Sequence, residues 1–535
     1  LITCFLGQGP LGKGWKHDYE AYLEFPGSNN ITVHWNQNSA NTFTLNGNEY
    51  TCSDLSMKNA VLSVNTDGSY LLTMNNQIQY LFNSAGKLTK ILNSKGQALE
   101  LSYNSSGLLA QITESISGQH ITIAYNTSGL ISTVGDSLNR QVSFSYDSND
   151  NLTSVTDADG NTTTYTYDSD GRVLSGTNAG GSLFFSNTYD NCGRLTSQFD
   201  GITGYTEGTF TYDETTQIGK LITTYTDRNG NTNTYEYDNK YKLLAYKDGL
   251  GNTTNYTYDT DGNRLTETDA NGNTTSYNYN GNDKMLSMTN SLGHATQYAY
   301  DGEGRLTGTT DAGGHTTTYT YDAAGRLTGT TDPLGNTTSM GYDVLGNILS
   351  VTDALGNNVN TYTYDNLNNC LTTIDALGNV TTNEYDELSR LITVTDPIER
   401  LTQFNYYDLN RLTGTIDPLE GESAQTFDAD GNRTTLTVPK NNNLGFTFEQ
   451  SGRLTVVTDA AGNTIEYEYD SLGRISEITN GRGQTTAYTY NDAGRIISTV
   501  DPTGQTTYTY DANGNVTGIT DSTGAIVKEY DERTA

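Results

Sequence analysis

A Tyr-Asp pair returns about every 21 residues through most of this 535-residue sequence. It stands at Tyr146-Asp147, Tyr167-Asp168, Tyr189-Asp190, Tyr212-Asp213, Tyr237-Asp238 and Tyr258-Asp259, and again from Tyr300-Asp301 through Tyr321-Asp322, Tyr342-Asp343, Tyr364-Asp365 and Tyr385-Asp386. Altered versions keep the phase at Tyr279-Asn280, Phe427-Asp428, Phe448-Glu449 and Tyr490-Asn491, and earlier at Phe82-Asn83, Tyr103-Asn104 and Tyr125-Asn126. A fixed period near 20 residues means one supersecondary unit stacked many times. Stacked units share a continuous core, so the length does not translate into three or four separate domains.

The unit from Asp322 to Tyr342, DAAGRLTGTTDPLGNTTSMGY, holds two Asp-x-x-Gly turns, Asp322 to Gly325 and Asp332 to Gly335. Aspartate at the first position accepts hydrogen bonds from the backbone two residues on, and glycine at the fourth readily takes positive φ. This pattern predicts a type I turn closed by a glycine bulge, which joins antiparallel strands. Pro333, Pro397, Pro418 and Pro502 each follow a turn aspartate, where φ near −65° is wanted. Between turns lie short segments rich in Thr and Tyr, both of which favour a pleated surface. In Thr162 to Tyr167 the tyrosines fall on one face and threonines on the other. No window supports a long amphipathic helix, and the fold class is all-β.

About 44 strands at roughly 4.8 Å each would make a ribbon about 210 Å wide. Open sheets that wide curl, which predicts a spiral of hairpins around a hollow; two hairpin turns per repeat argue against a parallel solenoid. Composition agrees with a thin wall: 34% of residues are hydrophobic, and 39 tyrosines supply much of that. Residues 1–75 lack the repeat and are expected to form a β segment covering one end, with Trp15, Tyr19, Tyr22, Phe25 and Trp35 as its packing residues. Residues 76–535 are expected to form the shell. Spacing stretches in 200–225, while 419–446 loses the turn glycine to Glu420 and brings in Pro439 and three consecutive asparagines; loops or sheet corners are expected in both.

The motif G-R-L-T-x-x-x-D-x-x-G-N-x-T-x-Y-x-Y-D stands at Gly304 to Asp322 and Gly325 to Asp343, with an altered copy at Gly452 to Asp470. Tyr321, Asp322, Gly325, Arg326, Asp332, Gly335, Tyr342 and Asp343 carry it. The sequence closely resembles the RHS or YD-repeat family, which includes bacterial Rhs toxins, Tc-toxin C components, wall-associated proteins and the teneurin ectodomain. Gly9 to Trp15 followed by His17 to Glu20 is similar to the segment preceding the repeats in bacterial members. The resemblance implies a hollow shell of hairpins, which in toxin members encloses a C-terminal toxic polypeptide. No core-region motif or toxin domain of those members is found here, so the resemblance implies neither self-cleavage nor toxicity.

The formal charge of −33, from 62 acidic and 29 basic residues, disfavours nucleic-acid binding. No stretch is long enough for a membrane helix. Four cysteines fix no disulfide framework, although Cys4 and Cys52 could pair. Asp157 to Asn161 and Asp428 to Asn432 imitate the start of a calcium loop but lack its twelfth-position glutamate, and turn chemistry explains them. His294 and His315 at equivalent repeat positions make too small a set for metal. Arg172, Arg194, Arg305, Arg326, Arg453, Arg474 and Arg495 each follow a turn glycine and are expected to pair with turn aspartates. Sequons such as Asn161-Thr162-Thr163 and Asn252-Thr253-Thr254 would carry glycans only where a glycosylation system meets the chain. No catalytic motif, cofactor or metal is expected. Two functions fit: a surface shell enclosing or presenting an associated polypeptide, or an extracellular structural or adhesive protein. Either is expected outside the cell or at its surface, in a bacterium. An open sheet edge at Asp531 would also need a partner, further chain or a second subunit joined end to end into a filament with a channel.

Overall fold

The computed structural model describes residues 8–527, except 28, 37–38, 55–56, 58–59, 75–76, 94–96, 200, 202–207, 215–218, 408–409 and 440–441. Expectations for Cys4, for the edge at Asp531 and for parts of 200–225 and 419–446 lie outside the described residues. Within them the chain forms 51 β-strands and no α-helix. From Tyr22–Gly27 onward, successive strands within each part of the chain pair antiparallel, as does a short N-terminal pair, Gln8–Gly9 with Gly12–Lys13.

One repeat shows why. The strand Leu327–Thr331 pairs with Thr337–Tyr342, which pairs with Ile348–Thr352. Threonines sit opposite one another at Thr330 and Thr338, and at Thr331 and Thr337. The Thr331 and Thr337 hydroxyls are 2.7 Å apart, a cross-strand contact that supports sheet. Tyr342 pairs with Ile348 while Gly341 pairs with Ser350, so Leu349 is the extra residue of a bulge. The same slip recurs beside Tyr146, Tyr167, Tyr258, Tyr300, Tyr385 and Tyr490. It follows from the preceding turn: Gly346, at φ 86°, brings the returning strand in one residue late.

The chain divides into two compact units, Leu1–Ala179 with Tyr319–Gly421, and Gly180–Thr318 with Glu422–Ala535. In each, the strip returns alongside itself. In the first unit, Gln119 Nε2 donates to the Glu387 carbonyl (2.6 Å) and Arg140 Nη1 to Asn410 Oδ1 (3.3 Å). These passes also flank a cavity of about 400 Å³, with Ile91, Leu99, Ile116 and Leu367 among its apolar lining. In the second unit, the Gly180 N–H donates to Asp430 Oδ1 (2.9 Å), Ser471 Oγ to Asn229 Oδ1 (2.5 Å) and Asn513 Nδ2 to Asp269 Oδ2 (2.6 Å). The partners are 242 to 270 residues apart in sequence. Every contact joins a Tyr-Asp-type turn to one of the intervening turns of an earlier pass. The sheet spirals.

The apolar core is concentrated near the N-terminus. Phe43, Leu62, Leu72, Phe82 and Leu88 are fully buried, in a cluster running from Ala21 to Ile112. The cluster draws on strands both before and after residue 75. Among the described residues, no buried apolar side chain lies beyond Val173. From there on the wall is one sheet thick: in Thr316–Tyr321, Tyr319 and Tyr321 are half-buried while Thr318 and Thr320 are exposed.

Candidate functional site

The repeated Tyr-Asp turn is the feature from which any function must be built. Asp322 Oδ1 accepts the backbone N–H groups of Ala324 and Arg326, both at 2.9 Å, and its Oδ2 accepts Arg326 Nε at 2.6 Å. The Gly325 N–H donates to the Asp322 carbonyl, and the Asp322 N–H to the Arg326 carbonyl, both at 3.0 Å. Gly325 lies at φ 80°, so only a residue tolerant of the left-handed region closes the turn without strain. The intervening turn repeats this geometry with asparagine in place of arginine. Asp332 Oδ1 accepts from Leu334 and Asn336, and Oδ2 from Asn336 Nδ2 at 2.8 Å, with Gly335 at φ 88°.

Tyrosine then ties each turn to its neighbour. The Tyr342 hydroxyl donates to the Leu327 carbonyl at 2.6 Å, capping a carbonyl beside the bulge of the preceding repeat. Tyr321 of the same motif ends the strand Thr316–Tyr321, half-buried. The same bond joins Tyr146 to Ile131, Tyr258 to Leu243, Tyr385 to Cys370 and Tyr490 to Ile475. Arginine completes the link: the Arg326 guanidinium sits 5.0 Å from the ring centre of Tyr342, and Arg474 lies 4.3 Å from that of Tyr490. Where asparagine replaces arginine, as at Asn347, it bonds its own Asp343 (2.9 Å) and Asn368 of the next turn (2.7 Å). The tyrosine hydroxyl bond and the arginine stacking were not foreseen from sequence. Their signal was available in the regular Arg-to-Tyr spacing of 16 residues, as from Arg326 to Tyr342.

Burial and hydrogen bonding set the electrostatics. Burial pushes the Tyr103 and Tyr125 hydroxyls up to about 12. The Arg194 backbone N–H, followed by its guanidinium, holds the Asp190 carboxyl below the usual aspartate range. The imitation calcium loops are spent on turns, since both Asp157 and Asp428 direct one oxygen to backbone N–H groups and the other to asparagine. The ring of His315 pairs with Asp311. Five of the seven arginines pair with the aspartate of their own turn, as at Arg172 and Asp168 (2.6 Å) and Arg305 and Asp301 (2.6 Å), whereas Arg453 pairs with Glu449 and the turn of Arg495 begins at Asn491. Among the described residues no group of three or more His, Cys, Asp or Glu gathers to hold a metal. Among the described residues no helix is long and apolar enough to cross a membrane.

The N-terminal aromatics part company. Tyr19 and Trp35 pack against the core cluster, and Trp35 meets Tyr80 edge-on at 5.3 Å. Tyr22 stacks on His34 at 4.6 Å, and Phe25 lies 5.2 Å from Tyr70, both on the surface. Trp15 leaves this group. Its indole donates to the Tyr167 hydroxyl at 2.8 Å and its ring lies 4.9 Å from Tyr165. Beside it, the Ile131 N–H donates to the Pro10 carbonyl (2.7 Å) and the Lys13 N–H to the Asp150 carbonyl (3.3 Å). The segment from Pro10 to Trp15 therefore lies along the Tyr-Asp-type turns of the early repeats.

The RHS-repeat family model matches eight windows, from 258–296 to 490–526, and the teneurin YD-shell model matches 58–194. The chain belongs to the RHS/YD-repeat family. Two solved structures share the RHS/YD fold over 94% of this chain, each at TM-score 0.51: a TcdB2-TccC3-Cdc42 crystal structure at 14% identity and a TcdB2-TccC3-TEV crystal structure at 13%. The chain spans about a third of each matched chain, 33% and 32%. No curated protein sequence matches it. As a member of the RHS/YD family the chain is a shell-type scaffold, and its fold is similar to that of the TcdB2-TccC3 structures.

Proposed function

We propose that the chain is a non-enzymatic shell at the bacterial surface, which encloses or presents an associated polypeptide. The observation that carries this reading is the single-layer wall. Beyond Val173 the described sheet has no buried apolar side chain, yet successive passes are fastened tip to tip. A strip built this way gains little from a solid interior and encloses space instead. Residues 1–75, whose stretch from Pro10 to Trp15 lies along turns of the early repeats, serve in this reading to cover one end. The charge of −33 suits an exposed, soluble wall and repels nucleic acid. Surface exposure would also open the sequons to glycans where such a system operates.

The test is protection. The chain is co-expressed with the polypeptide encoded immediately downstream, and the purified product is treated with proteinase K. The downstream polypeptide should survive until the shell is unfolded. Digestion as fast as that of the polypeptide alone would contradict enclosure.

A second reading, an extracellular structural or adhesive strip that assembles end to end, is favoured by one observation. Consecutive intervening turns from Asp332 to Glu420 point aliphatic side chains into solvent. Self-association in sedimentation would support it, and a monomer at every concentration would oppose it.

A further inference from the structure

The intervening turns of the first unit are covered in one stretch and bare in another. Around Gln119 and Arg140 they receive Glu387 and Asn410, from Tyr-Asp-type turns of the later pass. The tip residues of these covered turns, Ile116 and Leu138, are half-buried. Later in the same unit the equivalent tips are Leu334, Leu355, Leu377, Ile398 and Leu419, with exposures of 88, 87, 87, 69 and 89%. They belong to five successive repeats. Two strands separate one tip from the next, so the tips stand roughly 10 Å apart and form a ridge about 40 Å long.

A single exposed leucine needs no explanation, but five in register do. Turn chemistry does not ask for an aliphatic residue at this tip. Asp159, Asn229, Asn271 and Gly313 occupy it elsewhere, and what Leu334 gives its turn is a backbone N–H to Asp332, which does not depend on an aliphatic side chain. What the bare stretch shares with the covered one is its kind of edge, and there Tyr-Asp-type turns supply the cover.

We propose that this ridge is the docking edge for a second copy of this chain, which lays its own Tyr-Asp-type turns across the ridge as Glu387 and Asn410 lie across the covered turns. The inference rests on the assembling reading above and names its surface. The chain carries a matching edge: in the turns at Asp238, Asp259, Asn280 and Asp301, the tips Lys240, Asp261, Asn282 and Glu303 are exposed. Ridge and tips are different surfaces, so the contact is heterologous and builds either a ring or an open filament. A charge of −33 on each copy opposes it, and salt strengthens it.

Sedimentation velocity of the full 535-residue chain tests this over a wide concentration range, at low and high salt. A double variant, Leu355→Asp with Leu377→Asp, is compared with the wild type and with Thr318→Glu on the exposed threonine face. Wild type and Thr318→Glu should associate, more strongly in high salt, and the double variant should lose at least tenfold in association constant. All three should share one thermal transition. If the double variant melts early, Leu355→Gln with Leu377→Gln takes its place. A double variant that associates like the wild type overturns the ridge and leaves assembly through another surface. A wild type that stays monomeric in high salt overturns the ridge and the assembling reading together.

Discussion

Asp386 shows how much one side chain of the repeat holds. Its Oδ1 accepts the N–H groups of Leu388 (2.9 Å) and Arg390 (3.0 Å), and its Oδ2 accepts Arg390 Nε (2.6 Å). Asp386→Ala strands these donors and should cost about 1–2 kcal/mol. In a repeat array that loss is local. Hydrogen exchange should therefore speed up in Leu391–Thr395 and remain unchanged several repeats away. Burial opposes ionisation of Asp386, but the bonds from Arg390 outweigh it and hold the carboxyl below its usual range. A depressed folded value stabilises above the unfolded one, near 3.9, and that stabilisation disappears as pH falls through the folded value. Thermal melts should accordingly weaken below about pH 4. Tyrosines act at the other end of the scale. Burial raises Tyr103 and Tyr125 to about 12, so their contribution is complete below the unfolded value and is lost as pH rises toward 12. Tyrosinate absorbance should rise together with loss of sheet in this window; titration of all tyrosines as if free, with the sheet intact, would refute the ladder. Tyr241 carries strain, at φ 61° and 78% exposed where most turns have glycine. Tyr241→Gly relieves roughly 1–2 kcal/mol of left-handed strain against about 0.5–1 of chain entropy, a small net rise in stability measurable by denaturant.

At the scale of elements, the hairpins were legible because their cause is local. Asp-x-x-Gly with threonine and tyrosine strands determines turn, bulge and face within a dozen residues, and Gly325 and Gly335 close their turns as the pattern implies. Arg326 over Tyr342 was not legible, because it depends on the register between neighbouring hairpins. The uneven core was also hidden. Composition suggested a thin wall throughout, but Phe82 and its neighbours form a packed cluster near the N-terminus, where aliphatic residues concentrate. Phe82→Ala should cost about 3–5 kcal/mol, as a large cavity in a closed core does. Phe448→Ala, at the equivalent repeat position but half-buried, should cost much less. Equal losses in denaturant titrations would mean that the core is not polarised in this way.

At the scale of the whole chain, sequence suggested a curling ribbon but could not say which turns meet. That depends on accumulated twist over 242 to 270 residues, which no local pattern encodes. Nor could it place Trp15 on Tyr165, about 150 residues away. The same accumulated geometry sets the tip-to-tip contacts that make a strip into a wall. Double cysteine variants test those contacts directly, one pair in each unit: Gln119→Cys with Glu387→Cys, and Asn229→Cys with Ser471→Cys. A short bis-maleimide is applied to the folded chain and linked peptides are identified by mass. Both pairs should link rapidly when folded and fail to link in denaturant. Absence of both links from a folded, all-β chain would contradict the spiral.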